Sequence, residues 1–397
     1  MMKKVILIAL FTFHYSLSTT VYAQGGNTRM GGNDGPYQSL AERIAKIEKK
    51  NDAFNVYFNY AAAAHTQEQG NGWETGFANK ELRLEIKGSL TDKIFYRLRH
   101  RLNKDNSAKG EDNFAKATDI MMVGYNFSDK FSVMGGKMTQ IWGGYEYDEN
   151  PMYIYKYSDF VDHMDIYMAG VAVSYKPLPT QEIAFEVSNA SNGKLEEDDG
   201  PVVLVQNPSD TKRLEQAKSP LAFIANWNSS FLDDKLQTRW SWGIQKQAAD
   251  KVYSRMLILG QRLNLPKVQW YFDYMGAFED MDRLGIATQD AGLPGRLGSV
   301  RYNTFITKLN WQFAHQWNLM LKGTYETVNV KNYEKFRDYR KSYGWVGSIE
   351  YYPDPTQDLR IFLAYIGKKI DYSKACGLDN TSSNRFELGF MYRIKCY

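Results

Sequence analysis

The chain has 397 residues, with 49 Lys or Arg against 45 Asp or Glu, and 15% of its side chains are aromatic. This near balance leaves no cationic excess to neutralise a phosphate backbone, which excludes a strongly basic nucleic-acid binder. Two cysteines, Cys376 and Cys396, are too few for a disulfide framework.

Residues 1–23 read as a signal peptide. Lys3 and Lys4 form the charged start, Val5 to Phe13 the apolar run, and Val21-Tyr22-Ala23 the small-residue cleavage site. Export follows from this reading, and the absence of Cys at the site argues against a lipid anchor. Residues 24–51 form a flexible lead, rich in Gly and Asn up to Pro36, followed by one helical stretch. In that stretch, Gln38 to Lys50, Leu40, Ile44 and Ile47 fall at i, i+4 and i+7, which predicts a short periplasmic helix.

Beyond Asp52 the hydrophobic period changes to two. Leu82, Leu84 and Ile86 alternate with Arg83, Glu85 and Lys87, and Trp240 and Trp242 with Arg239 and Ser241. Phe386, Leu388, Phe390 and Tyr392 alternate with Arg385, Glu387 and Arg393. The pattern predicts strands over 54–62, 76–90, 94–102, 117–127, 131–138, 166–175, 182–189, 221–228, 236–246, 253–263, 268–277, 302–313, 317–327, 342–351, 359–367 and 385–396. These are sixteen strands of about ten residues, an even number. The weakest is 253–263, where Arg255 and Gln261 share the phase of Leu257 and Leu259. Connections after even strands are short and recur in sequence, as in Leu90-Thr91-Asp92-Lys93-Ile94 and Phe127-Ser128-Asp129-Lys130-Phe131. Connections after odd strands are mostly long, including 139–165, 190–220 and 278–301. Short turns on one rim and long loops on the other predict an all-β transmembrane antiparallel barrel over 52–397. A soluble sandwich or lectin would rarely keep that rhythm. No run after residue 23 approaches the roughly 20 apolar residues of a membrane helix.

A closed barrel turns the apolar phase to lipid and the charged phase to the lumen. Sixteen strands enclose more space than side chains fill, so a water path is expected. The basic pore-lining candidates are Arg83, Lys87, Arg97, Arg99, Arg101, Arg239, Lys322, Arg360, Arg393 and Lys395. Arg97, Arg99 and Arg101, at i, i+2 and i+4, form a ladder; the alternative is that they pair with Glu81, Glu85 and Glu387 and only brace the wall. The third loop, Thr139 to Asp165, is expected to fold inward. It carries the constriction candidates Trp142, Tyr145, Glu146, Asp148, Glu149, Lys156 and Asp159, with Lys156 as its single lysine or arginine. A basic wall facing an acidic loop is the expected charge arrangement.

These features together resemble the phosphate-selective porin O and P family of outer-membrane channels. The resemblance rests on the helical lead at 38–50, the sixteen strands, Gly135-Gly136-Lys137, and the Trp-Gly-Gly-Tyr-Glu-Tyr-Asp-x-Asn-Pro run at 142–151. It implies a homotrimer, a third loop inside the pore, and an arginine ladder along an anion path. Phosphate-selective members have lysines in that loop, whereas here Lys156 stands alone.

The expected function is passive diffusion of small polar solutes, with a weak preference for anions, phosphate among them. Lipid and lipopolysaccharide are the surrounding partners. A structural or adhesive barrel whose loops bind a surface partner is the alternative. No enzyme and no cofactor are expected: the five His show no triad spacing, and no phosphate loop, dinucleotide fingerprint or zinc spacing is present. Glu196-Glu197-Asp198-Asp199 lacks the EF-hand pattern and reads as a solvated charge run. The mature chain is expected to begin at Gln24, with about +2 formal charge. N-terminal sequencing of membrane-extracted protein checks this, and a sequence starting at Met1 would contradict it.

Overall fold

The computed structural model describes residues 53–69, 72–107, 112–193, 195, 202–354 and 356–397. The signal peptide expected at 1–23, the helix expected at 38–50 and the acidic run 196–199 lie outside the described residues.

The strands are β1 (Asn55–Gln69), β2 (Gly72–Ser89), β3 (Ile94–Arg101), β4 (Thr118–Ser128), β5 (Phe131–Thr139), β6 (Tyr167–Leu178) and β7 (Gln181–Asn189). A small hairpin follows, β8 (Val203–Asn207) and β9 (Asp210–Arg213). Then come β10 (Leu221–Phe231), β11 (Leu236–Ala248), β12 (Val252–Asn264), β13 (Val268–Met281), β14 (Arg296–Ala314), β15 (Trp317–Val330), β16 (Arg340–Tyr351), β17 (Asp358–Tyr372) and β18 (Thr381–Lys395). Each of β1–β7 and β10–β18 pairs antiparallel with its chain neighbour, β7 pairs with β10, and β18 closes onto β1 from Tyr57↔Lys395 to Gln67↔Arg385. The result is a closed sixteen-stranded barrel, so the wall has no open edge and its backbone polar groups are satisfied strand to strand. Among the described residues no helix is long and apolar enough to cross a membrane.

All sixteen barrel strands coincide with the alternating runs of the sequence. Two features differ. The connection expected between 62 and 76 is almost absent, because β1 and β2 run on and pair from Ala62↔Asn79 to Gln69↔Gly72 after a bulge at Ala61/Ala62. Ala61 to Ala64 and His65 to Gln69 carry no hydrophobic alternation, so the period hid a strand that main-chain pairing continues. The second is β8–β9 inside the 190–220 connection. It pairs parallel with the start of β14, Arg296↔Leu204 and Leu297↔Val205. Five residues are too short to show a period.

The two phases separate as the alternation requires. Phe185, Val187, Trp242, Phe272, Leu363 and Leu388 are exposed on the outer wall, while Glu182, Glu186, Ser241, Asp273 and Arg360 are buried inside. Outward aromatics gather near both rims. Phe127–Phe131 (5.6 Å between ring centroids), Trp227–Trp240 (5.1 Å) and Trp317–Tyr351 (4.8 Å) lie near the short turns. Tyr274–Phe305 (5.1 Å) and Tyr365–Phe386 (4.9 Å) lie toward the opposite rim. These are the positions of interfacial girdles. The out-of-phase Arg255 pairs with Asp280 at 3.1 Å on the outer face.

The chain terminus also leaves the alternation. β18 ends at Lys395, and the amides of Cys396 and Tyr397 both reach the Val56 carbonyl, at 2.8 and 3.4 Å. This irregular last step sets the Tyr397 ring 5.8 Å from Phe54. Cys376 is buried and Cys396 exposed, both as free thiols. Leu363→Arg puts a charge on the lipid face and is expected to destabilise the barrel by about 2–4 kcal/mol. Urea titration of refolding into vesicles measures this; an unchanged midpoint would contradict the assignment of this phase to lipid.

Candidate functional site: the interior and its inserted loop

The segment between β5 and β6 lies inside the barrel. It contains α1 (Tyr145–Asp148), a 3-10 turn at Pro151–Tyr153 and α2 (Asp159–Asp162). Tyr145 and Phe160 have no exposed surface. Glycine lets the loop meet the wall. A Cβ on Gly243 of β11 would fall 2.6 Å from the Trp142 ring, and Gly144 takes φ +87° where its Cα approaches Gly260. Polar groups then hold the backbone in place. The Gly143 amide donates to Ser241 Oγ (2.8 Å), and the Tyr145 and Glu146 amides both donate to Asp273 Oδ2 (2.8 Å each). The motif Trp-Gly-Gly-Tyr-Glu thus has a local reason: a flat ring, two residues without side chains, and two free amides at the start of α1.

Four acidic side chains of the loop point at the wall formed by β11 and β14–β17. Glu146 pairs with Lys322, Glu149 with Lys308, and Asp148 with Arg239. Asp159 is held by Arg340 (2.7 Å) and by Lys368. Burial would raise the Asp159 carboxyl, yet those two cations hold it well below the usual carboxylate range. Glu326 accepts from the amides of Asp159 (2.7 Å) and Phe160 (3.0 Å). Further along the wall Tyr155 donates to Glu350 (2.8 Å), and Arg360 lies over the Tyr153 ring (4.3 Å) while bonding Glu350 (3.3 Å). The expected basic wall facing an acidic loop is therefore corrected. Glu146, Asp148, Glu149 and Asp159 face away from the arginine ladder and are matched by cations on the far side, whereas Asp162 and Asp165 border the cavity on the ladder side. Arg239, Lys322 and Arg360 lie against the loop, not beside the ladder. Trp142 is buried on Gly243, and Lys156 pairs with Asp162 at 2.5 Å.

The ladder occupies β2 and β3. Register sets Arg83 opposite Arg101 and Lys87 opposite Arg97, two like-charge pairs that would repel if unrelieved. Glu85 relieves the lower part, 2.7 Å from Arg97. Asp119 relieves the upper part, 2.9 Å from Arg101 and 3.3 Å from both Arg83 and Arg99. Arg83 also meets Glu81 at 2.6 Å. Arg99 donates to the Tyr167 hydroxyl. At the lower end Arg393 (3.8 Å), Lys87 (5.0 Å) and Lys395 (6.0 Å) surround the Tyr57 ring. Arg385 and Lys80 share Glu387. Ladder and pairing are thus the same structure: the arginines stack in a row, and carboxylates thread them.

Asp119 and Tyr57 are the residues the sequence pattern missed. Asp119 sits at a bulge, because Arg99 pairs with Ile120 while His100 pairs with Thr118. A regular strand would point residue 119 outward with Met121 and Val123; the bulge re-aims it inward. Tyr57 is inward in phase, but an aromatic on the charged face gives no signal of its own.

Between the loop and the β2–β4 wall lies a cavity of about 650 Å³, bordered by Arg83, Arg101, Asp119, Lys137, Tyr157 and Tyr167 among others. Among the described residues no cluster of His, Cys, Asp and Glu could hold a metal ion.

Solved outer-membrane channels share this architecture. The outer membrane channel DcaP of Acinetobacter baumannii is 11% identical with a TM-score of 0.60, covering 87% of this chain and 99% of its own. An anion-selective porin from Comamonas acidovorans is 9% identical with a TM-score of 0.55, covering 86% and 99%. The trimer form of in-vitro folded OmpT from Vibrio cholerae is 11% identical with a TM-score of 0.51, covering 86% and 100%. No curated protein matches the sequence at a significant level. The profile described as phosphate-selective porin O and P matches residues 54–394. With a barrel closed strand by strand and a loop seated inside it, the chain belongs to the phosphate-selective porin O and P family and is a bacterial outer-membrane porin.

Proposed function

We propose that this porin passes small polar solutes by diffusion with a weak preference for anions, that the 139–165 loop narrows the path, and that the barrel works as a homotrimer after cleavage of its signal peptide. The observation that carries the reading is the division of interior charge. The loop's Glu146, Asp148, Glu149 and Asp159 each have a cation on the far wall, so they add little net negative field. On the other side Arg83, Lys87, Arg97, Arg99 and Arg101 outnumber Glu81, Glu85 and Asp119. At the cavity Lys104 and Lys116 stand against Asp165, while Asp112 and Asp162 are paired with Lys137 and Lys156. In a wet path each charge is screened over roughly 8 Å, so a summed row, not one arginine, would raise local anion concentration. The single lysine of the loop, Lys156, is taken by Asp162, which favours a general anion preference over a tight phosphate site. A trimer form among the solved neighbours supports the assembly.

Two measurements follow. Arg101→Gln combined with Lys104→Gln should shift the reversal potential in a salt gradient toward cations while the channel stays open. An unchanged potential would remove the arginine wall from selectivity, and a parent channel blocked by micromolar phosphate would contradict the weak preference. Glu146→Gln combined with Asp159→Asn leaves buried Lys322 and Arg340, and half-buried Lys368, short of their partners, a change worth about 3–5 kcal/mol for a broken buried pair. The loop should loosen, and single-channel conductance and flicker should rise. Unchanged conductance would mean that the loop does not set the bore. A structural or adhesive barrel would show no steady open state at all.

A further inference from the structure

The cavity beside the ladder has two unlike walls. On the barrel side stand Arg83 and Arg101, with Glu81 and Asp119 between them, and Lys104 and Lys116 from the 102–117 connection, whose Asp112 pairs with Lys137. Arg83 is only 4% exposed, and although its Nε lies near Glu81 and Asp119, its Nη1 has no hydrogen-bond acceptor among the described residues. Among the same residues Lys104 and Lys116 form no ion pair. The loop side is mixed: Ile154, Tyr157 and Ile166, with Phe114 near them, are half-buried and give apolar surface, while Asp162 and Asp165 stand beside them, held by Lys156 and Asn192. At about 650 Å³ the cavity falls within the roughly 300–1,000 Å³ of small-molecule sites.

An inorganic anion would use one wall only. Phosphate set against Tyr157 and Ile154 would lose water without gaining a partner there. An organic carboxylate uses both walls. Its carboxylate can accept from a guanidinium edge that lacks an acceptor, and its hydrocarbon body can leave water against the rings. We propose that this cavity is a subsite for small amphipathic carboxylates, with the carboxylate at Arg83 and Lys104 and an aromatic or branched body on Tyr157 and Ile154. The proposal rests on the porin reading above and names the solute class that this one cavity favours.

Benzoate is the probe, with acetate, benzyl alcohol and inorganic phosphate as partial mimics, added to the full-length protein in a planar bilayer. Benzoate should reduce the open-channel current at concentrations where the other three have little effect. Arg83→Gln should raise the half-blocking benzoate concentration about tenfold, the scale of one hydrogen bond to a charged group. Tyr157→Ala should bring benzoate down to the level of acetate while acetate itself is unaffected. Should Arg83→Gln yield no channels, Lys104→Gln and Tyr157→Ala decide. An open channel that benzoate blocks no better than acetate, or that phosphate blocks better than benzoate, overturns the proposal and leaves the porin reading standing. A parent protein with no open state removes both.

Discussion

The interior depends on one electrostatic match: an acidic loop seated on a basic wall. A barrel of sixteen strands would otherwise enclose a wide lumen. Here Glu146, Glu149 and Asp159 enter as charged groups and are met by Lys322, Lys308, Arg340 and Lys368. Burying such charges is costly unless each finds a partner and its remaining hydrogen bonds. The wall therefore selects one seat for the loop, and Asp273 and Glu326, by accepting its backbone amides, fix the register of that seat.

The seat has a consequence on the opposite side. Glu146, Asp148, Glu149 and Asp159 turn toward β11 and β14–β17, and the loop presents Ile154, Tyr157, Asp162 and Asp165 to the cavity beside the ladder. The ladder keeps more cations than its threading carboxylates neutralise. Its structure is a compromise: facing arginines across β2 and β3 repel, and the bulged Asp119 relieves three of them at once.

The wall was legible in the sequence because a β-barrel writes its two faces as a period of two. Runs such as Ile183–Val187 and Leu359–Tyr365 specify both strand and facing, and the recurring turns mark one rim. What escaped lies where that period breaks. The Ala-rich top of β1 has no contrast to read. β8–β9 is too short. Asp119 is turned by a bulge that no alternation signals. The direction of the loop carboxylates escaped for another reason: it depends on Lys308, Lys322 and Lys368, more than 150 residues away in sequence, and only closure brings them to the loop.

The arrangement is tested most directly by thiol accessibility in a background lacking Cys376 and Cys396. Ser241, beneath the loop, and Arg101, at the cavity, are replaced singly by Cys and exposed to a charged, water-soluble thiol reagent in the folded barrel. With the loop on the β11 side, Arg101→Cys should react readily and Ser241→Cys should be protected. Equal reaction at both positions, or protection at Arg101→Cys alone, would contradict the placement of the loop and the division of charge that follows from it.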